Sequence, residues 1–252
     1  VVVLGASNVA RGIGTIVDVA REQLGSPLEI MAAMGHGRSY GLTTSIPFRT
    51  LPSILDSGLW RALKERPALP TWTVITDVGN DLIYGCHPEQ VTSWIDEAAR
   101  RLRERSVRMV LTGLPLTSVQ RVGWLRFVTF RSALFPQSTL QLDDAQRSAV
   151  ELDAAVQQLA AQHGAEFFAP QASWYGLDPI HIRVLVQRDA WRRIFFALTQ
   201  KKNSLAQKLH SPWREWLRMM MVRPQQSRVF FRAREVAQPA IVLRDGTSIS
   251  FF

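Results

Sequence analysis

Asp178-Pro179-Ile180-His181 places a carboxylate three residues before an imidazole on a tight, proline-containing turn. That spacing lets the carboxylate hold one ring nitrogen while the other faces outward, which fixes the tautomer and stabilises an imidazolium. Such a pair needs a hydroxyl to activate, and Val1-Val2-Val3-Leu4-Gly5-Ala6-Ser7-Asn8 offers one. Four apolar residues running into a Gly-x-Ser turn read as a buried parallel strand that delivers Ser7 to the start of a helix. There the helix dipole favours negative charge developing at the hydroxyl. Taken alone, Ser7 also reads as an ordinary helix cap. An acyl oxygen that becomes negative needs donors. Asn80 offers a side-chain amide, Gly37 a backbone N–H and Ser7 its own N–H; each such donor is typically worth about 3 kcal/mol.

The elements that must carry these residues alternate along the chain. After the opening strand, apolar residues from Val9 to Leu24 recur at helical spacing and stop at Gly25. Leu28–Met34 reads as a second strand ending in Gly35-His36-Gly37-Arg38-Ser39-Tyr40-Gly41. A helical pattern covers about 51–64, and Trp72–Thr76 is a third strand ending in Asp77-Val78-Gly79-Asn80-Asp81. Pro88 opens the next helix, Val107–Leu111 is strand four, helices are expected over Trp124–Leu134 and Asp143–His163, and Glu166–Phe168 is a short fifth strand. A helix over about Leu185–Leu198 closes the series. Strands and helices in this order predict an α/β fold, a three-layer α/β/α sandwich around a mostly parallel sheet. Brändén's rule then puts a ligand beyond the carboxyl ends of the strands, where all the candidate residues fall.

Composition narrows the classes. With 252 residues, 46% hydrophobic and 20% charged, the chain suits one α/β domain and an appendage. A lone cysteine, Cys86, provides no disulfide framework and no zinc-ligand set. No run reaches the roughly 18 to 20 apolar residues of a spanning helix. The chain opens without Met, so its start reads as trimmed and a preceding targeting peptide stays open, with the cytoplasm the expected compartment. Ten Lys and Arg face three Asp and Glu between Lys201 and Phe252, so +7 of the net +9 lies there. Residues 1–200 are therefore expected to form the catalytic domain and 201–252 a small basic extension. Its signals are a helix after Ser211-Pro212, strand character over Arg228–Val236, and a β-hairpin about Asp245-Gly246.

Other site classes fit less well. The glycines around Gly5, Gly12 and Gly14 miss the dinucleotide-binding spacing, and the second strand ends in Met34-Gly35 rather than an acidic residue. No G-x-x-x-x-G-K-[ST] is present, and Gly5-x-Ser7-x-Val9 lacks the second glycine of the α/β-hydrolase elbow.

The set of motifs resembles the SGNH (GDSL-like) hydrolase family across most of the first 200 residues. Gly5-Ala6-Ser7-Asn8 is similar to the family's Gly-Asp-Ser block, with Ala6 where the family usually has Asp. Gly35-His36-Gly37 is similar to the block carrying the oxyanion glycine, placed at Gly37 with Gly35 as the alternative. Gly79-Asn80-Asp81 is similar to Gly-x-Asn-Asp, one residue shorter, and Asp178-Pro179-Ile180-His181 matches Asp-x-x-His. The resemblance implies a flavodoxin-like, five-stranded parallel sheet and hydrolysis of an ester. It implies a catalytic triad of Ser7, His181 and Asp178, and an oxyanion hole from Ser7, Gly37 and Asn80. No cofactor or metal is implied.

His36 and Arg38 are candidates for contact with a small-molecule, lipid or carbohydrate ester, each set against a plainer role in the loop or in solvent. The basic C-terminal segment suits weak contact with an anionic surface, and no specific nucleic-acid binding is expected. Two alternatives share the fold: a catalytically silent binding or scaffold protein using the basic surface, and an acyltransferase using the same triad.

Overall fold

The computed structural model describes residues 1–46, 49–121, 141–200, 211–229 and 232–252. The helix expected over Trp124–Leu134 lies outside the described residues. Strand β1 (Val2–Leu4) feeds helix α1 (Ser7–Leu24), then β2 (Glu29–Ala33). Two short strands, β3 (Thr44–Ile46) and β4 (Arg49–Leu51), precede α2 (Leu59–Glu65) and β5 (Thr71–Ile75). A 3-10 segment over Val78–Tyr84 leads to α3 (Pro88–Arg103) and β6 (Ser106–Thr112). Helices α4 (Leu116–Gln120) and α5 (Leu142–Gln162), strand β7 (Glu166–Phe168) and α6 (Gln187–Thr199) follow.

Strands β2, β1, β5, β6 and β7 lie side by side in that order, all parallel. Counted along the chain this is the 2-1-3-4-5 arrangement of the flavodoxin-like fold. Its switch point falls between the carboxyl ends of β1 and β5, since the chain leaves β1 toward opposite edges of the sheet. Ser7 and Asp77 follow those two ends.

Side chains alternate across the pleat, and both faces are buried. Val2, Leu4, Met31, Ala33, Ile75 and Leu111 point into a core with α2, α3 and α5. Val3, Ile30, Ala32, Val74 and Val110 point into the opposite core with α1 and α6. This is why the strands read as unbroken apolar runs and the helices as amphipathic.

The sheet has seven strands where five were expected, because the C-terminal segment joins it. After α7 (Trp213–Met221) and the antiparallel pair β8 (Gln226–Val229) and β9 (Arg232–Glu235), strands β10 (Ile241–Val242) and β11 (Ser248–Phe251) form a hairpin. The Asp245-Gly246 turn makes this hairpin possible, with Gly246 at φ +85. β11 then pairs in parallel with β2, Ile249 opposite Ile30. β8 pairs with β4, completing a second sheet in the order β3-β4-β8-β9. Arg228–Val236, read as one strand, instead takes in the end of β8 and the whole of β9. Polar contacts fasten the same segment to α1: Ser211 Oγ donates to Asp18 at 2.6 Å, and Arg21 reaches Asp245 at 2.6 Å. The expected break at residue 200 therefore meets a sheet that runs across it.

The glycine-rich loop after β2 is pinned from beneath. Asp81, fully buried, accepts the Tyr40 N–H at 3.0 Å, and the Tyr40 hydroxyl donates to Thr76 O at 2.7 Å. The other Asp81 oxygen has no partner among the described residues. Burial raises the Asp81 carboxyl from 3.8 to about 6, against hydrogen bonds from Ser39 and Tyr40 that favour the carboxylate.

Two outcomes check this architecture. Ile249→Ala, at a position with no exposed surface, should cost about 2–5 kcal/mol. Urea denaturation should show the loss in a single transition of the whole chain; a separate, early transition for the C-terminal segment would contradict the shared sheet. Asp81 is protonated more readily in the folded chain than in the unfolded one. Its contribution is complete below the unfolded value of 3.8 and lost as pH rises through about 6. Asp81→Asn, which cannot ionise, should gain about 1–3 kcal/mol relative to the parent between about pH 4 and about pH 7. A stability difference independent of pH would contradict it.

Candidate active site

Ser7, His181 and Asp178 meet in the fold although 171 residues separate Ser7 from Asp178. The Ser7 Oγ lies 2.7 Å from His181 Nε2, and His181 Nδ1 lies 2.6 Å from Asp178 Oδ2. The second Asp178 oxygen accepts the backbone N–H of Ile180 at 3.2 Å and of His181 at 3.1 Å. The turn is thus folded around its own carboxylate, as an Asx turn. Burial works against ionisation of Asp178, but the hydrogen bond and charge of His181, with those two N–H groups, hold its carboxyl below the ordinary value. Arg11, one turn along α1 from Ser7, brings a guanidinium to 3.9 Å from the same carboxylate.

Asp77, at the end of β5, carries more of the site than its sequence position suggested. Its Oδ2 accepts the N–H of Ala6 at 2.7 Å and of Asn8 at 3.0 Å, and its Oδ1 accepts Asn8 Nδ2 at 2.8 Å. A carboxylate is thus held against the first turn of α1, where unpaired N–H groups and the helix dipole both favour it. Asp77 adopts a left-handed backbone, φ 58 and ψ 28, at a cost of about 1–3 kcal/mol. Gly5 makes the approach feasible, because a Cβ there would fall 2.9 Å from Thr76 Cγ2 and 3.3 Å from Asp77 Oδ2. Ala6 leaves a turn without its own carboxylate, and Asp77 brings one to it from the neighbouring strand. The Ser7 N–H lies between the two that Asp77 takes, and no acceptor for it is found among the described residues.

Gly37 sits at φ +61, a left-handed conformation that favours glycine, and its carbonyl accepts the Tyr84 hydroxyl at 2.5 Å. Gly35 instead packs against Leu51. Asn80 donates one amide hydrogen to Arg38 O at 3.0 Å, tying the 3-10 turn after β5 to the loop after β2. Ser7, Asp77 and Asn80 share a cleft of about 650 Å³, open solvent included, with Ile83, Leu114 and Trp174 in its walls.

The two candidate substrate-contacting residues part ways. His36 is exposed, and partial loss of solvent around the ring, then the charges of Arg49, His181 and Arg11, lower its pKa. Arg38 is a correction. Its side chain is fully buried and donates to the carbonyls of Pro52 at 3.0 Å, Met34 at 3.1 Å and Ser53 at 3.4 Å, and also to Phe252 O. A guanidinium with this many carbonyl partners is satisfied without an ion pair, and it is turned into the protein rather than toward a substrate. Among the described residues no group of three or more His, Cys, Asp or Glu is placed to hold a metal ion.

Asn8 and Asp77 are the residues that reading by motif missed. Asn8 stood in the quoted nucleophile block without a role, and Asp77 stood next to a quoted block. The available signal was position: both lie at carboxyl ends of adjacent strands, at the switch point.

No family model matches the sequence, and no curated protein does. Solved structures match by shape. An aryl esterase from M. smegmatis aligns with a TM-score of 0.52 at 14% identity, over 81% of this chain and 98% of that one. Est24, a carbohydrate acetylesterase from Sinorhizobium meliloti, aligns with a TM-score of 0.53 at 13% identity, over 77% and 95%. A carbohydrate acetylesterase family member from the same organism gives 0.52 at 16%, over 77% and 94%. The chain therefore shares the α/β/α fold of these solved structures, with its seven-stranded sheet built around five parallel strands.

Proposed function

We propose that the protein is a serine-dependent ester hydrolase of the SGNH type. The observation that carries this reading is the continuous hydrogen-bond chain from Ser7 Oγ through His181 to Asp178, at the switch point of a fold that known esterases share. His181 Nε2 takes the proton of Ser7 as its Oγ attacks the ester carbonyl carbon. Asp178 holds the other ring nitrogen and stabilises the imidazolium. The oxygen of the tetrahedral intermediate is held by the N–H of Ser7, the N–H of Gly37 and the amide of Asn80. His181 then gives its proton to the departing alcohol, leaving Ser7 acylated. Water, deprotonated by His181, attacks the acyl carbon and returns Ser7 to its hydroxyl with release of the acid.

The cleft beside Ser7 supports an ester with an apolar portion, since Ile83, Leu114, Pro115 and Ile182 line it. Small-molecule, lipid and carbohydrate esters remain the substrate classes. The fold shared with carbohydrate acetylesterases makes sugar acetates the first to screen.

Ser7→Ala and His181→Ala should each lower kcat on p-nitrophenyl acetate by about 10³-fold or more while the fold is retained. Equal turnover by parent and Ser7→Ala would overturn the reading. A folded parent without turnover across an ester library would favour the catalytically silent scaffold.

A further inference from the structure

Asn8, the residue after the nucleophile, is buried, and its side-chain amide has a partner on every side. One Nδ2 hydrogen goes to Asp77 Oδ1 at 2.8 Å and the other to the carbonyl of Ile180 at 2.9 Å. Its Oδ1 accepts the N–H of Ile182 at 2.8 Å. Ile180 and Ile182 are the two neighbours of His181. A single amide thus spans the backbone on both sides of the histidine and connects it to the carboxylate that holds the first turn of α1.

The chemistry of these contacts leaves little freedom. An amide has a donor end and an acceptor end, and turning it over would set its N–H groups against the Ile182 N–H and its oxygen against the Ile180 carbonyl and the Asp77 carboxylate. Asp in its place would meet two acceptors with an acceptor, and an apolar side chain would leave a buried N–H and a buried carbonyl unpaired. The His181 ring itself is gripped by Asp178, but Asp178 lies on the same turn and moves with it. Something anchored elsewhere must set that turn against α1.

We propose that Asn8, oriented by Asp77, is a positioning residue that sets the His181 segment at proton-transfer distance from Ser7. The inference rests on the ester-hydrolase reading. It adds a bond between the nucleophile turn and the base turn that neither the triad nor the oxyanion donors supply. Asn8 and Asp77 touch no reacting atom in this role; they act through the placement of Ser7 and His181. Small displacements of reacting groups cost about 100-fold in rate, so the bond has a measurable consequence.

The test compares the parent with Asn8→Asp, which keeps size and reverses one end of the amide, and with the double variant Asn8→Asp/Asp77→Asn, which restores donor-to-acceptor pairing between the two side chains. Each is assayed on p-nitrophenyl acetate, with folding followed by circular dichroism. The expected result is a kcat about 100-fold lower for Asn8→Asp, with KM within about twofold of the parent, and about tenfold recovery in the double variant. Should Asn8→Asp fail to fold, Asn8→Ser, which removes the bridge to the histidine segment, is expected to show the same loss in kcat. A folded Asn8→Asp or Asn8→Ser protein with the parent's kcat overturns the proposal, as does a double variant no faster than the single one. An inactive parent would instead bring down the ester-hydrolase reading, so the two failures are distinguishable.

Discussion

A carboxylate pressed against the start of a helix holds this site together. The first N–H groups of α1 have no partner within the helix, and the helix dipole adds to their positive potential. Asp77 meets both demands from the adjacent strand, taking the Ala6 and Asn8 N–H groups at 2.7 and 3.0 Å. Because Asp77 follows the end of β5 and Ser7 follows the end of β1, this contact closes the crevice at the switch point of the sheet. Its strained backbone is held there by two neighbours. Asn80 N–H returns to the Asp77 carbonyl at 3.2 Å, and the peptide beyond β1 is bridged to β5 by Thr76 N–H to Leu4 O at 2.9 Å. The charge is placed so that it takes the N–H groups on either side of Ser7 and leaves that of Ser7 to something else.

Around this contact the remaining elements act as supports. Arg38 and Asp81, both buried, fix the loop after β2 from below, one through carbonyls and the other through the Tyr40 N–H. The C-terminal strand β11 covers the edge of β2, which would otherwise present unpaired backbone groups. Phe252, the residue after β11, accepts from Arg38, so the same segment reaches the underside of that loop. A segment that composition separates from the domain is thereby part of its sheet.

What the sequence made legible follows from physical range. Short apolar runs and helical spacing depend on neighbours in the chain, and the five parallel strands and the helices α1, α3, α5 and α6 were visible for that reason. Asp178 and His181 were visible because their contact is local, three residues apart. Ser7, Gly37 and Asn80 stood as candidates through motif types at strand ends. Contacts made only by the fold were not visible. Asp77 shows no pattern until β5 is set beside β1, and Asn8 shows none until Ile180 and Ile182 arrive from 172 and 174 residues away. Arg38 was misread because an arginine in a glycine-rich loop suggests solvent or substrate, while four backbone carbonyls gathered from three segments remove it from both. β10 and β11 were recognised as a hairpin from Asp245-Gly246, but pairing with β2 is a long-range choice that the hairpin signal does not encode.

Where a covalent adduct forms, and how its oxygen is held, separates an ester hydrolase from a silent protein of the same fold. A crystal structure of the protein treated with an ethyl phosphonate ester reads both at once. The prediction is phosphorus bonded to Ser7 Oγ, with one phosphoryl oxygen within hydrogen-bond distance of the N–H groups of Ser7 and Gly37 and the Asn80 amide. An adduct on another residue, or a phosphoryl oxygen turned away from all three donors, would contradict it.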